Sequence, residues 1–339
     1  MASSGTLHLI LPGLLGPVPR AAATAPEVQG RFPGLSALLS RARKERAPGG
    51  DLGTVLSAWL THPEGLNAGP LGLLGDGGTP GDEYWFRADP VMLQPDRDRI
   101  VVFHGDAALP DRTEADELVM AFNGFFSDDG LVLHAPTPER WYLQVPEELA
   151  AVTTTPLLQV IGRGMGEHLP AGPQGSRWAS LLNEAQMLFH SHPVNQARED
   201  QGRPMINGLW PWGGGRLRPL EWRHRPAGLH SDNPTVAGLA KHTGVSVVPL
   251  DCDRLPPEDE GDHLVITDGP AAALAAQDLG GWLDWLEALE RGWFRGLAGN
   301  QRRVRLDAGT GHAWCRDGSG RWRFWRREHD LGHWLSLEG

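Results

Sequence analysis

The sequence predicts an α/β protein in which a mostly parallel sheet is covered by helices on both faces. A small inserted α+β subdomain and a C-terminal β-hairpin complete the prediction. Three observations support it: apolar runs alternate with amphipathic segments at both ends, short strands dominate the middle, and the tail reads as a ribbon. At 339 residues, the chain has room for one large domain or two smaller ones.

The outer segments have the pattern of parallel strands and covering helices. LHLILPGLL (7–15) is a short apolar run that ends in Pro and Gly, as a buried strand does. Helices are predicted at 33–46, where leucines share one face, and at 51–60. The Gly- and Pro-rich segment 64–82 is predicted to be a loop.

Alternation returns from residue 178 onward. WASLLNEAQMLFHSH, NPTVAGLAKHTG and LGGWLDWLEALERGWFRGLA read as helices, and INGLWPW, VSVVPL and HLVITD as strands. We therefore assign residues 1–82 and 171–300 to the α/β core and 83–170 to the inserted subdomain. Residues 301–339 form a hairpin extension around the Asp-Gly-Ser-Gly turn at 317–320. Many of the 14 tryptophans are predicted to be core anchors near polar walls.

Composition limits the classes of partner. The net charge of −11 opposes nucleic-acid binding, and no run approaches the roughly 20 apolar residues that span a bilayer. No basic residue precedes the first apolar run, which argues against a secretory signal. Cys252 and Cys315 lack metal-ligand spacing and fit a reducing compartment. We expect a cytoplasmic protein without nucleic-acid or membrane partners, although the arginine- and tryptophan-rich residues 301–339 could bind a protein.

The densest polar segment is YWFRADPVMLQPDRDR (84–99). Its candidate ligand-binding residues are Arg87, Asp89, Arg97 and Asp98, set among apolar residues that should hold them rigidly. Arginine forks bind phosphate or carboxylate through two parallel hydrogen bonds. An internal Arg–Asp network explains the same pattern, and the sequence leaves both interpretations open.

A second candidate lies where a helix ends at His190 and His192. Their spacing differs from the i, i+4 pair that binds zinc on one helical face, and Pro193 disfavours helical geometry at His192. His192, Asn195 and Arg198 could then point into one pocket with three donors for an anion. Replacing Arg198 with alanine is accordingly expected to weaken anion binding without unfolding. A structural role is the alternative for each residue.

The third candidate segment, NGLWPWGGGR, contributes Asn207, Trp210 and Trp212, and Arg163 completes the set. Here a strand ends beside three glycines, and open α/β sheets bind ligands at the carboxyl ends of their strands. The glycines lack the spacing of a dinucleotide or P-loop site, so they could serve close packing instead. We expect the whole segment 190–216 to face a ligand.

Several of these runs resemble a known family. HPVNQAREDQG, INGLWPWGGGR and NPTVAGLAKHTG are similar to runs in the archaeal-type cofactor-independent phosphoglycerate mutases, and FRADPVMLQPDRDR resembles their inserted domain. Over nearly its full length the chain also resembles the RpfE-type bacterial regulatory proteins, which share YWxRADPVxLxPDRDR and LLNExQMxxHxHPVNxxRExxG. The resemblance implies an alkaline-phosphatase-like core with an inserted domain.

The same resemblance implies two divalent metals held by Asp and His, with a Ser or Thr nucleophile. Here Leu11-Pro12-Gly13 stands where those enzymes carry a metal-binding Asp, and HLVITDGPAAALAAQD offers only Asp268 and Asp278. We therefore expect no cofactor, with Asp268 as the metal-ligand candidate and Mn²⁺ or Mg²⁺ only in a rebuilt site. No catalytic residue is assigned.

These observations favour a non-catalytic or degenerate mutase-like protein that binds a small anionic, phosphorylated metabolite and has a regulatory role. Two alternatives stay open. One is an active metal-dependent phosphomutase or phosphatase with a rebuilt metal site. The other is a scaffold that binds a protein through residues 301–339.

Overall fold

The computed structural model describes residues 5–258, 260–317 and 327–338. The chain forms two compact units. Unit 1 comprises Met1–Pro63, Leu220–Val236 and Ala240–Gly339, and unit 2 comprises Glu64–Pro219 with Ala237–Leu239. These boundaries differ from the predicted ones, because residues 64–82 and 171–219 group with the subdomain rather than with the α/β core.

The secondary structure, in chain order, is as follows. The strands are β1 (Thr6–Ile10), β2 (Arg43–Gly49), β3 (Tyr84–Asp96), β4 (Arg99–Phe103), β5 (Val132–Thr137), β6 (Arg140–Val145), β7 (Gly208–Gly215), β8 (Gly228–His230), β9 (Val247–Val248), β10 (His263–Ile266), β11 (Arg303–Asp307) and β12 (Thr310–Arg316). The helices are α1 (Arg20–Ala23), α2 (Pro33–Arg41), α3 (Leu52–Ser57), α4 (Ala68–Gly75), α5 (Arg112–Phe125), α6 (Gly175–His190), α7 (Pro193–Asp200), α8 (Pro234–Thr243), α9 (Gly269–Ala275), α10 (Leu279–Leu289), α11 (Arg295–Gly299) and α12 (Leu331–Glu338). A π-helical turn, Glu290–Phe294, joins α10 to α11.

Unit 1 contains a sheet of seven described strands in the order β2-β12-β11-β1-β10-β8-β9. Strands β11, β1, β10, β8 and β9 run parallel, while β12 and β2 pair antiparallel at one edge. Leu7 lies between Val304 and His263 in register, so the apolar run of β1 has neighbours on both sides. This arrangement confirms the predicted mostly parallel sheet.

The core of unit 1 explains part of the tryptophan content. Trp282, Trp293 and Trp314 are each 1% exposed and pack against the leucines of β1 and α2. Large side chains of this kind bury the most apolar area per residue, which is the main stabilising contribution in a domain of this size. The prediction that many tryptophans anchor the core is confirmed.

Unit 2 contains an antiparallel sheet in which β4-β3-β6-β5 form the main order and β7 also pairs with β3. One face packs on α5 and α6 through a core that includes Phe86, Trp141 and Trp178. Helix α5 begins with a capping box in which Asp111 and Glu114 bond each other's backbone N–H groups. The predicted strand INGLWPW exists as β7, but it belongs to this sheet.

The Gly- and Pro-rich segment predicted to be a loop contains α4. Its glycines permit close packing: a Cβ on Gly69 would lie 2.2 Å from the carbonyl oxygen of Trp85, and one on Gly72 would lie 2.9 Å from the Tyr142 ring. Tertiary contact here outweighs the low helix propensity of glycine. The prediction for 64–82 was wrong because composition alone does not show this contact.

Two further predictions are corrected. The helix predicted over 33–46 ends at Arg41, and Arg43–Gly49 form the edge strand β2. β11 and β12 form a hairpin that turns at 308–309, whereas the turn predicted at 317–320 lies, apart from Asp317, outside the described residues. Because β11 pairs with β1, residues 303–316 are part of the unit 1 sheet instead of an extension. In the described ranges, no helix is both long and apolar enough to cross a bilayer.

Candidate functional site

The face of the unit 2 sheet that packs on α4 carries a buried arginine between two aromatic rings. Arg87 of β3 lies in register between Tyr142 of β6 and Trp212 of β7. Its guanidinium carbon is 5.5 Å from the Tyr142 ring centroid and 5.8 Å from the nearer Trp212 ring centroid. Both distances are in the range of cation–π attraction. We call Arg87, Asp89, Tyr142 and Trp212 the arginine row.

Asp89 fixes the orientation of this row. Its Oδ1 accepts a hydrogen bond from Arg87 Nε at 2.6 Å, and its Oδ2 accepts one from Trp212 Nε1 at 2.7 Å. Burial alone would lower the pKa of Arg87, but the charge of Asp89 raises it above the usual value. In the described chain the two terminal nitrogens of Arg87 have no hydrogen-bond partner, and the side chain is 12% exposed. Those donors are held in a frame fixed by Asp89 and the two rings.

A second polar group supports the Tyr142 side of the row. Asp76, which follows α4, accepts two hydrogen bonds of 2.9 Å from Arg140 and one of 2.6 Å from the Tyr142 hydroxyl. Burial raises the pKa of Tyr142 far above its usual range, so the hydroxyl stays protonated and donates. Asp76, Arg140 and Tyr142 are not among the site residues predicted from the sequence. The alternation in RWYLQV, which places Arg140 and Tyr142 on one face, was the available signal.

The tryptophan and glycine residues of β7 have packing roles. Trp210 pairs with Asp89 in register and is 1% exposed, and its Nε1 donates to the Thr155 carbonyl at 2.8 Å. Gly213 has a φ of +61°, and a Cβ there would lie 2.6 Å from the Ala68 side chain. The triple glycine thus lets the start of α4 approach the strand, which is the second of the two roles considered above.

Three predicted residues lie elsewhere in unit 2. Arg97 and Asp98 form the exposed turn between β3 and β4, with Arg97 at a φ of 56°. Nine residues of extended strand place this turn roughly 30 Å from Arg87. Arg163 is exposed, and its carbonyl accepts a hydrogen bond from Val102 N at 3.1 Å. These residues therefore do not join the arginine row.

The corner between α6 and α7 also differs from the expectation. His190 is exposed, and His192 caps α7 by accepting a hydrogen bond from Val194 N at 3.3 Å. Asn195 is fully buried and links two segments of the backbone. Its Nδ2 donates to the carbonyl oxygens of Phe189 and Ile206, and its Oδ1 accepts a hydrogen bond from Ile206 N. Asn207 makes the same kind of bond with both backbone groups of Leu93.

Arg198 is an internal strut. It is 0% exposed, and its guanidinium donates to Glu114 at 2.5 Å and to the carbonyl oxygen of Pro204 at 2.6 Å. Longer bonds run to the carbonyl oxygens of Leu109 and Ala107. His192, Asn195 and Arg198 thus do not point together into an anion pocket, because each one's polar atoms already serve backbone or carboxylate partners.

The carboxyl edge of the unit 1 sheet contains Asp268, whose two oxygens each lie 3.2 Å from Asn233 Nδ2. At the end of β1, a Cβ on Gly13 would lie 2.5 Å from the Ala271 backbone, and Trp282 donates to the Gly13 carbonyl at 3.0 Å. Helix α9 therefore packs against Gly13, and the preceding position, where the resemblance implies a metal-binding Asp, holds Pro12. Among the described residues, no group of three His, Cys, Asp or Glu side chains could hold a metal ion. These residues do not fit the two-metal site that the resemblance implies.

Comparisons with known proteins extend this description. No protein-family model matches the chain. It is 26% identical over 160 residues to a probable 2,3-bisphosphoglycerate-independent phosphoglycerate mutase of Geobacter sulfurreducens, covering 47% of the chain and 40% of that relative. It is 26% identical over 182 residues to 2,3-bisphosphoglycerate-independent phosphoglycerate mutase 2 of Methanothermobacter thermautotrophicus, covering 53% of the chain and 43% of the relative. The matched segments thus span less than half the length of these relatives.

Among solved structures, the PH0037 protein from Pyrococcus horikoshii matches with a TM-score of 0.57 and 14% identity, over 98% of this chain and 92% of that one. The predicted α/β fold with a mostly parallel sheet is confirmed, and the matched relatives are described as 2,3-bisphosphoglycerate-independent phosphoglycerate mutases. The resemblance to RpfE-type regulatory proteins stays a prediction.

Proposed function

We propose that this protein binds a small phosphorylated or carboxylated metabolite through Arg87 and does not turn it over. The observation that carries the proposal is the pair of terminal nitrogens on Arg87, which have no partner among the described residues, in a frame set by Asp89, Tyr142 and Trp212. Two parallel N–H donors match a carboxylate or phosphate edge. A regulatory role would follow from binding without chemistry.

The charges around Arg87 determine the affinity to be expected for an anion. Asp89 neutralises Arg87, and Asp76 neutralises Arg140, so the row does not attract anions over long distance. Affinity has to come from hydrogen bonds to a pre-oriented guanidinium, which costs little side-chain entropy on binding. We expect a dissociation constant between about 0.1 and 1 mM.

The non-catalytic part of the proposal is supported by the carboxyl edge of unit 1. Phosphoryl transfer of this class depends on metals that clamp the attacking and leaving oxygens. Pro12 stands at the position where the resemblance implies a metal-binding Asp, and Asn233 bonds both oxygens of Asp268. The competing function is an active phosphomutase or phosphatase in which Asp268 and Asn233 start a rebuilt metal site.

Isothermal titration with 3-phosphoglycerate tests the binding part. We expect Arg87→Met to weaken binding at least about tenfold, because the fork is lost. Arg99→Met is the matched control: it removes an arginine of the same unit that is 58% exposed and lies 3.3 Å from Asp96, and it should leave the affinity unchanged. Arg87→Lys keeps the charge but lacks the two terminal nitrogens of the guanidinium. Weakened binding by a folded Arg87→Lys variant would therefore come from the loss of the fork and not from a loss of folding.

Two outcomes would contradict the proposal. If a folded Arg87→Lys or Arg87→Met variant bound 3-phosphoglycerate with the affinity of the wild type, the arginine row would not be the binding site. Turnover of 3-phosphoglycerate in the presence of Mn²⁺, lost on Asp268→Asn substitution, would establish the competing enzymatic function instead.

A further inference from the structure

Two histidines at the start of the C-terminal helix form a pair that has no part in the site described above. His329 precedes α12, and His333 lies in its first turn, four residues later. Their rings are stacked, with centroids 4.1 Å apart and an angle of 19° between the planes. Both side chains therefore face the same side of the chain, at the i, i+4 spacing that lets two histidines bind one metal ion.

The backbone that carries the two rings is fixed by contacts within unit 1. His329 N donates to Ser40 Oγ at 3.0 Å, and the Asp330 carboxylate accepts a hydrogen bond from Gly30 N at 2.6 Å. Leu331 is 0% exposed and belongs to the unit 1 core. The pair is thus positioned before any ligand arrives, and binding has to order only the two side chains.

The ring nitrogens of the pair are not used inside the protein. Among the described residues, none of them has a hydrogen-bond partner, and Trp334 contacts both rings edge-on. His333 is exposed and His329 is half-buried, so both rings can turn about χ2. Two nitrogens bound to one ion at about 2.1 Å lie roughly 3.0–3.4 Å apart, which is close to the present separation of the rings.

The charges around the pair balance. Arg327 and Arg41 are positive, while Asp330 and Glu328, the partner of Arg41, are negative. Both Asp330 oxygens already accept backbone hydrogen bonds. Electrostatic attraction therefore does not select the ion, and the two imidazoles do. Imidazole favours late transition metals, whereas Mg²⁺ and Ca²⁺ take oxygen ligands.

We propose that His329 and His333 chelate one divalent late transition-metal ion, of the class of Cu²⁺, Ni²⁺ and Zn²⁺. The pair supplies two ligands and water supplies the others, so the ion exchanges with solvent. Because the second histidine binds within the same molecule, the affinity exceeds that of a single histidine by about 100-fold. This site is separate from the arginine row and from Asp268, and it is not a centre for phosphoryl transfer.

Calorimetric titration of the untagged full chain with Ni²⁺ tests this proposal. We expect one ion per chain, and we expect His329→Gln and His333→Gln each to weaken binding at least about tenfold, because one ligand is left. His224→Gln is the matched control: it removes an exposed histidine of unit 1 that has no ring contact among the described residues, and it should leave the affinity unchanged. Mg²⁺ should not compete with Ni²⁺.

A variant that rebuilds the pair gives an independent check. Leu337 lies four residues beyond His333 in α12 and is 59% exposed. In the His329→Gln background, Leu337→His should restore most of the lost affinity. Trp334 reports where the ion binds, since its ring centroid is 5.4 Å from that of His333. Cu²⁺ should therefore quench more fluorescence in the wild type than in Trp334→Phe.

Four results would overturn the proposal. They are wild-type affinity in folded His329→Gln and His333→Gln variants, competition by Mg²⁺ at equal concentration, no restoration by Leu337→His, or no Ni²⁺ binding up to about 1 mM. Should His329→Gln fail to fold, His333→Gln decides, because that side chain is exposed.

Discussion

Replacing Arg198 with alanine is expected to lower the free energy of unfolding by about 3–5 kcal/mol. The side chain is 0% exposed and pairs with Glu114, which is itself 13% exposed. Its removal leaves the carbonyl oxygen of Pro204 without its donor and takes from Glu114 its buried cation, so that only the surface residue Arg203 still pairs with this carboxylate. The sequence pattern predicted the opposite result, a loss of anion binding without unfolding.

Arg203 provides the matched control because it pairs with the same carboxylate from the surface. Arg203 lies 2.6 Å from Glu114 and is 37% exposed. Arg203→Ala should therefore cost no more than about 1 kcal/mol. Urea denaturation of the two variants measures the difference. Costs within about 1 kcal/mol of each other would show that Arg198 is not a buried strut.

Acidification from pH 7 to pH 5 is expected to remove about 2 kcal/mol of stability through His8 alone. Burial lowers the pKa of His8 from 6.5 to about 4, although Asp262, 3.5 Å away, opposes the shift. The side chain is 12% exposed and stacks edge-on against Trp59 at 4.6 Å. Between these two pKa values the unfolded chain binds a proton that the folded chain does not. Stability is therefore complete above about pH 6.5 and falls as the pH drops towards 4.

The measurement compares wild type with His8→Gln in urea at pH 7, 6 and 5. Burial also lowers the pKa of His230 and raises that of Asp307, but these groups titrate in both proteins and cancel in the comparison. The glutamine variant should lose about 2 kcal/mol less between pH 7 and pH 5. Parallel curves for the two proteins would rule out His8 as the source.

The strands of the parallel sheet could be predicted because burial on both faces demands unbroken apolar runs. β1 and β10 are LHLI and HLVI with flanking residues, and both were recognised on that basis. β2, with the sequence RKERAPG, has no such signature. It becomes a strand only because β12 offers an edge, with Glu45 opposite Ala313. Edge strands with charged side chains are common for this reason, and a single sequence does not reveal the partner.

The candidate site was predictable in part. Arg87, Asp89 and Trp212 were chosen from residue type and spacing, and they do lie together. Asp76 and Tyr142 are 66 residues apart in sequence, so their hydrogen bond depends on α4 packing against β6. The histidine and arginine residues at the corner between α6 and α7 predicted an anion pocket that the structure does not show, and the reason is related. Polar side chains that hold a turn have the same composition as those that hold an anion.

The position of β1 in its sheet has a consequence for the chain during translation. Its partner β11 leaves the ribosome about 300 residues later, since Leu7 pairs with Val304. Residues 64–219, by contrast, form nearly all of unit 2 as one continuous segment that can fold while synthesis continues. A nascent chain that stalls before β11 thus contains a finished unit 2 and also the apolar strand β1, whose edge is still unpaired. That edge is where chaperone capture, or failing that aggregation, should begin.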